Sequence, residues 1–221
     1  MCQIVKWDQY KVEVSPKGRG TYGEVYFGLD LKNRRKVCIK KVPNVTIAKK
    51  EVSIMKTYGK SKHLPVFYKY FEKNNQAHIV MEAIKGETLG TSNFYYAGKK
   101  RTQKQAVRIV IRILSALQHL HHKGIVHNDL LPKNVMIHDD TPSTVKLIDF
   151  NLSKHTKSIT SRQIDLYKAA LMCVFLMNGK VPQRVFTFAM KNVQLKNVLL
   201  KGMKSGYNSA QDFMGALRPF S

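Results

Sequence analysis

Apolar positions alternate with polar ones through the first third of the chain and recur at three- and four-residue spacing through the rest. Val12 and Val14 alternate with charge, a glycine-rich turn follows, and Glu24-Val25-Tyr26-Phe27 and Lys36-Val37-Cys38-Ile39-Lys40 read as β-type runs. Ala48 to Tyr58 reads as a helix with Val52, Ile54 and Met55 toward one side. Val66 to Phe71 and Ala77 to Ala83 predict further strands, after which Gly86 and Gly90 bracket a polar connector. The pattern predicts a small β-rich region holding one helix.

The helical period takes over downstream. Thr102-Gln103-Lys104-Gln105 has the form of a capping box, with the Thr102 hydroxyl able to satisfy a free amide at the helix start. Val107, Val110, Ile111, Leu114, Leu117 and Leu120 carry that helix to a natural stop at Gly124. Short strands are expected at Val135–Ile137 and Val145–Ile148, and Asp165 to Asn178 predicts an apolar helix buried on most sides. Ser209-Ala210-Gln211-Asp212 repeats the capping-box form ahead of a last helix. There is no internal repeat and no low-complexity linker, and strands followed by helices indicate an α+β fold.

Composition narrows the class. The chain has 221 residues, 43% of them apolar, enough to bury a real core in one domain or in two lobes. No stretch approaches the ~18 uninterrupted apolar residues of a spanning helix, and the start MCQIVKWDQY lacks the layout of a secretory signal. Cys2, Cys38 and Cys173 are odd in number and far apart, which argues against a disulfide framework and against a cysteine-based zinc site. A cytoplasmic protein is the expectation, or one of the host cytoplasm or nucleus should the source be viral. The 38 Lys and Arg against 14 Asp and Glu give a net charge of +24, a field that draws polyanions: nucleic acid, anionic membrane surfaces, acidic proteins or nucleotides. From Tyr167 to Ser221 there are eight bases and one acid, Asp212. No aromatic-interleaved basic run supports nucleic acid in particular, and a solvated basic surface accounts for the charge equally well.

The candidate chemistry lies in four places. Gly18-Arg19-Gly20-Thr21-Tyr22-Gly23-Glu24-Val25 fits G-x-G-x-x-G-x-V, where glycine lets backbone amides approach phosphates. A dinucleotide fold needs a helix directly after such a turn, and Val25-Tyr26-Phe27 indicates a strand instead. Lys40 follows Val25 by 15 residues and Glu51 follows Lys40 by 11, so a strand lysine has a helix carboxylate to hold its ammonium. His127-Asn128-Asp129-Leu130-Leu131-Pro132-Lys133-Asn134 offers a carboxylate, Asp129, to accept the proton of an attacking hydroxyl. Asn134 and Asp149, the latter in Leu147-Ile148-Asp149-Phe150-Asn151, offer hard oxygen ligands for Mg²⁺. His127 reads as a scaffold histidine holding the loop rather than as a lone base or metal ligand.

In these four motifs and their order the chain resembles the eukaryotic-type protein kinase superfamily, in a minimal bacterial or viral form. The resemblance implies a bilobal α+β fold: an N-lobe over residues 1–81, a hinge and connector over 82–90, and a reduced, mainly helical C-lobe over 91–221. It implies ATP and Mg²⁺ as cofactors, with Mn²⁺ as an alternative metal, and a protein substrate that the basic surface would favour when acidic. Gly18, Gly20, Gly23, Val25 and Cys38 would surround the nucleotide, with Lys40 paired to Glu51. Met81 would be the gatekeeper, and the backbones of Glu82 and Ile84 would bond the adenine. Asp129 would be the catalytic aspartate, Asn134 and Asp149 the metal ligands, and Asp165 a structural brace opening the buried helix.

Four departures stand out. Asn128 occupies the position of an arginine that binds an activation-loop phosphate in many kinases, which predicts activity without that phosphorylation, or a different switch. Leu131 replaces the lysine of serine/threonine kinases, and Lys133, four positions after Asp129, is expected to reach the γ-phosphate in its place. Asn151 replaces a glycine, and because Asn tolerates left-handed backbone the metal-binding turn is expected to survive. Asp165 follows Asp149 by only 16 residues with no Ala-Pro-Glu motif, so the usual peptide platform is missing or reduced. Ser153, Thr156, Ser158, Thr160 and Ser161 fill that stretch, as autophosphorylation sites or as solvated loop. The leading expectation is a serine/threonine-type protein kinase. A small-molecule kinase of the aminoglycoside or choline type, and a basic pseudokinase or scaffold, are the alternatives.

Overall fold

The computed structural model describes residues 4–184, 186 and 189–221. These form two units, one of residues up to Lys60 with Pro65–Ile84, the other of Ser61–Leu64 with Lys85–Ser221.

The first unit is an antiparallel sheet with one helix. Its elements are β1 (Ile4–Trp7), β2 (Tyr10–Glu13), β3 (Gly18–Gly20), β4 (Gly23–Asp30), β5 (Arg35–Val42), α1 (Val45–Tyr58), β6 (Phe67–Lys73) and β7 (Gln76–Glu82). The strand order is β1-β2-β4-β5-β7-β6, with β3 added on β4. Period-two alternation sends Tyr10, Val12, Tyr26, Val37, Ile39 and Val80 to one buried cluster, against which Trp7 and Phe71 pack. Strand β1 lies outside the elements the pattern predicts because Ile4, Val5 and Lys6 are all exposed, so it has no alternation to read. Helix α1 starts three residues before the expected Ala48. Asn44 caps it, its Oδ1 accepting from the Ile47 amide at 3.1 Å, and the β-branched Val45-Thr46-Ile47 turn disguises the start.

The second unit is mainly helical. Among the described residues it contains α2 (Gln103–His122), α3 (Ile159–Asn178), α4 (Val193–Met203) and α5 (Ala210–Leu217). Its small strands are β8 (Glu87–Thr88), β9 (Ile125–Val126), β10 (Val135–Ile137), β11 (Lys146–Leu147) and β12 (Lys154–His155). They pair as β11-β10-β8 and as β12-β9. The Thr102 capping box forms in both directions: Gln105 N donates to Thr102 Oγ1 at 3.3 Å and Thr102 N donates to Gln105 Oε1 at 3.2 Å. Helix α3 is the buried axis of this unit, with Leu166 and every residue from Ala169 to Leu176 buried. It begins six residues before Asp165, so Asp165 does not open it. Ser158 does, its hydroxyl accepting from Ser161 N at 3.2 Å, and the polar, exposed first turn hides the start from a hydrophobic pattern. Helix α4 is also additional to the predicted elements. Its Leu195, Leu199 and Met203 are buried at helical spacing, but Lys196, Lys201 and Gly202 break up the apolar run.

No helix of the described residues is long and apolar enough to cross a membrane. Cys38 and Cys173 are free thiols, and burial pushes both up to about 12; Cys2 lies outside the described residues. One backbone position is tightly constrained: Gly86 has φ +105°, and a Cβ there would run into the Ile137 carbonyl beside the β10-β8 ladder. Gly86→Ala is expected to lower stability by about 1–3 kcal/mol, the usual cost of holding an L-residue in such a conformation. Urea unfolding of the two proteins would measure this.

Candidate active site

The sheet register gathers one set of candidate residues. Val25 lies opposite Lys40, and Cys38 lies opposite Met81. Because Cys38 and Lys40 are two apart on β5, these four side chains share the face of the sheet opposite the Val37 and Ile39 core. Phe27, opposite Cys38 and partly exposed, belongs to the same face; its place in the register, rather than a motif, identifies it. Lys40 Nζ donates to both oxygens of Glu51 at 2.9 Å, with the Glu51 side chain 1% exposed. A carboxylate buried this deeply fixes the ammonium in one position rather than merely neutralising it.

The glycine motif forms a hairpin with Thr21 and Tyr22 at its tip, Gly18 pairing with Val25 and Gly20 with Gly23. Gly23 is required by the fold itself, since a Cβ would strike the Lys41 carbonyl. Gly18 has nothing within 4 Å of a Cβ and Gly20 only the Gly23 carbonyl at 3.9 Å. The protein leaves open space beside both, which is where a phosphate group would need the close approach that glycine allows. Ile84 follows β7, and the Glu82 N–H donates to the Val66 carbonyl at 2.9 Å, which leaves the Glu82 carbonyl as the backbone group of that residue not used in this bond.

In the second unit, a buried carboxylate organises the loop after β9. Asp165 Oδ2 accepts from His127 N and from His121 Nε2, and its Oδ1 accepts from Asn128 N, all at 2.9 Å. Lys168, one turn further along α3, donates to the Asn128 carbonyl at 3.1 Å. Sequence reasoning missed Lys168, although its i+3 spacing from Asp165 places it on the same helix face. Asn128 has φ +66°, a left-handed conformation that Asn accepts more readily than most residues.

His127 is fully buried, and burial holds its pKa below the ordinary histidine range. Its Nδ1 accepts from Asp129 N at 3.3 Å, so the proton sits on Nε2, which donates to the Ile148 carbonyl at 3.1 Å. The neutral ring braces the backbone on both sides of the loop and packs edge-on against Phe150 at 5.4 Å. This is the geometry of a scaffold histidine.

Asp129 is half-buried, and Asn134 Nδ2 donates to both its carbonyl and its Oδ2 at 2.8 Å. With Nδ2 so occupied, Asn134 presents Oδ1 as its remaining ligand atom. Ile148 N donates to the Asn134 carbonyl at 2.9 Å, tying the Asp149 turn to the same loop. Asp149 has φ +66°, whereas Asn151 is not left-handed. The turn therefore takes its unusual conformation at the aspartate, and Asn151 acts instead through its side chain, Nδ2 donating to Asp149 Oδ1 at 2.6 Å. Lys133 is exposed on the 3₁₀ turn Pro132–Asn134.

The short segment beyond is largely committed to structure. Ser153 Oγ donates to the His127 carbonyl at 3.1 Å, Thr156 Oγ1 accepts from Ser158 N at 3.0 Å, and Ser158 caps α3. Among the described residues no cluster of three or more His, Cys, Asp or Glu forms a metal cage. The donors present, one amide oxygen and one carboxylate, fit Mg²⁺, which keeps water and phosphate oxygens as most of its ligands.

A family model described as the protein kinase domain matches residues 12–171. The chain belongs to the protein kinase family. It is 34% identical over 152 residues to a probable serine/threonine-protein kinase, zyg-1, of Caenorhabditis briggsae, covering 65% of this chain and 21% of that protein. It is 32% identical over 160 residues to calcium-dependent protein kinase 3 of Plasmodium yoelii yoelii, covering 69% of this chain and 29% of that protein. These alignments span less than a third of each relative. The kinase domain of PknI from Mycobacterium tuberculosis shares the fold at a TM-score of 0.75 and 18% identity, with 98% of each chain covered.

Proposed function

We propose that this protein kinase transfers the γ-phosphoryl group of Mg·ATP to serine or threonine hydroxyls of a protein. The observation that carries this reading is the Asp129 carboxylate, held by Asn134 in a loop whose backbone is fixed by Asp165 and His127. A carboxylate so placed can orient a hydroxyl and take its proton. ATP supplies the phosphoryl group, and Mg²⁺ neutralises its charge when bound.

The roles proposed for the remaining residues follow from their chemistry. Asn134 Oδ1 and the Asp149 carboxylate would hold the metal, and Mn²⁺ would be accepted by the same oxygens. Lys40, oriented by Glu51, would neutralise phosphate oxygens, and the amides around Gly18, Gly20 and Gly23 would face them. Val25, Cys38 and Met81 would lie against the base, with the backbones of Glu82 and Ile84 bonding its edge. Lys133 would reach the γ-phosphate in place of the lysine that Leu131 replaces. Serine or threonine as acceptor is supported by the relatives named as serine/threonine kinases. Free thiols at Cys38 and Cys173 suit a reducing compartment, the cytoplasm.

Labelled γ-phosphate offered with generic acidic and basic proteins tests the reading. Label on phosphoserine or phosphothreonine is expected, with loss of transfer in EDTA and recovery on adding Mg²⁺ or Mn²⁺. Phosphotyrosine would overturn the acceptor assignment. Transfer only to small hydroxyl compounds would replace the protein substrate with a small one, and nucleotide binding without turnover would leave a scaffold.

A further inference from the structure

The second unit carries a groove of about 410 Å³ that the proposed chemistry does not use. Arg108 and Arg112 of α2 and Arg218, just after α5, line it together with Ile111, Pro142 and Ser143. All three arginines are exposed, and no described carboxylate pairs with any of them. The acids next to the lining segments have other partners: Asp212, six residues before Arg218, accepts from Ser209 Oγ at 2.8 Å. Asp140 is held by Arg101 and Lys99, and exposed Asp139 lies 3.4 Å from His138.

A second observation concerns the helix itself. Its sequence, QKQAVRIVIRILSALQHLHH, contains no Asp or Glu, and Lys104, Arg108 and Arg112 follow one another at i, i+4 spacing. Like charges at that spacing repel and weaken a helix. A stripe of this kind, of which Arg108 and Arg112 line a groove that also receives Arg218, breaks local consistency in the way that binding surfaces do.

We propose that this groove docks an acidic segment of a protein partner, with its carboxylates on Arg108, Arg112 and Arg218 and an apolar side chain over Ile111 and Pro142. Guanidinium forks bind carboxylates bidentately, and the apolar floor between them suits a peptide side chain. An aromatic stacking platform, which single-stranded nucleic acid would use, is absent from the groove lining. That the partner is a substrate rests on the kinase reading, whereas its docking does not, because binding can be read without nucleotide.

The test is fluorescence anisotropy of a fluorescein-labelled Glu-Glu-Leu-Glu-Glu peptide with the full chain. One variant carries Arg108→Gln, Arg112→Gln and Arg218→Gln. A control loses the same charge through Lys32→Gln, Lys36→Gln and Lys60→Gln, exposed lysines of the first unit. Salt-sensitive binding to the wild type is expected, weakened about tenfold or more in the arginine variant and less than about twofold in the control. Thermal melting of both variants and transfer to a short neutral acceptor peptide should match the wild type, which separates docking from folding and from catalysis. Equal loss in both variants would reduce the effect to net charge and overturn the proposal. So would absence of peptide binding to the wild type. Tighter binding of a single-stranded oligonucleotide, lost with the same arginines, would assign the groove to nucleic acid instead.

Discussion

Asp129→Asn is expected to lower the rate of phosphoryl transfer by about 10²–10⁴-fold, the usual contribution of a positioned general base. The substitution is nearly isosteric, and the loop around it is held by other groups: Asp165 on the His127 and Asn128 amides, and His127 on the Asp129 amide. Asn134 Nδ2 can still donate to a carbonyl oxygen at position 129, as it now does to Oδ2 at 2.8 Å. That orientation leaves an amide NH₂ facing the acceptor hydroxyl, and an amide nitrogen cannot take its proton. Nucleotide affinity and melting temperature should therefore stay close to the wild-type values while kcat falls. Steady-state transfer of labelled phosphate, with a fluorescent nucleotide to follow binding, would measure both. A variant retaining activity within about threefold would remove Asp129 from the role proposed for it.

Asp165→Ala is expected to have the largest effect on stability. The carboxylate is fully buried and receives three hydrogen bonds at 2.9 Å, two from backbone amides and one from His121. Removing it strands all three donors, each costing roughly 1–3 kcal/mol when left buried without a partner. Partial relaxation brings the total to about 3–5 kcal/mol, in the range seen when one member of a buried polar pair is deleted. Asp165→Asn, which retains an acceptor, should lose less. Urea unfolding would give the energies, and hydrogen exchange at the His127 and Asn128 amides should show protection lost there first. A loss under about 1 kcal/mol would mean that the loop does not depend on this carboxylate. Because Asp165 holds the backbone on which Asp129 sits, activity should fall together with stability, unlike the Asp129 variant.

The two substitutions also mark how far the site can be read from residues alone. Spacing sufficed to pair Lys40 with Glu51, because a strand lysine and a helix carboxylate at that separation have few other ways to meet. The roles of Asp129, Asn134 and Asp149 came from their motif, and the contacts that set their geometry lie outside it. Lys168 and Asn151 hold the loop and the Asp149 turn through single hydrogen bonds at 3.1 and 2.6 Å, which no composition or periodicity encodes. Asn151 is the residue of this turn whose intrinsic preference tolerates left-handed backbone, yet the chain adopts that conformation at Asp149. Local propensity is weak beside the tertiary contacts of the surrounding backbone, here the Ile148 bond to Asn134 and the burial of Phe150.

The sequence by itself determined the β-rich and helical regions, through periods of two and 3.6 that bury one face of each element. It also determined the glycine hairpin and the order of the polar motifs, since these depend on neighbours along the chain. Only the tertiary structure decided that α3 begins at Ser158, that Lys196 and Lys201 belong to a helix with a buried apolar stripe, and that Val25, Cys38, Lys40 and Met81 share one face of the sheet. It alone brought Arg218 to the groove lined by Arg108 and Arg112, turning part of a net charge of +24 into a surface of defined shape. The reason is physical: a charge tally sums over the whole chain, whereas recognition depends on which charges share one patch of solvent within a Debye length of one another.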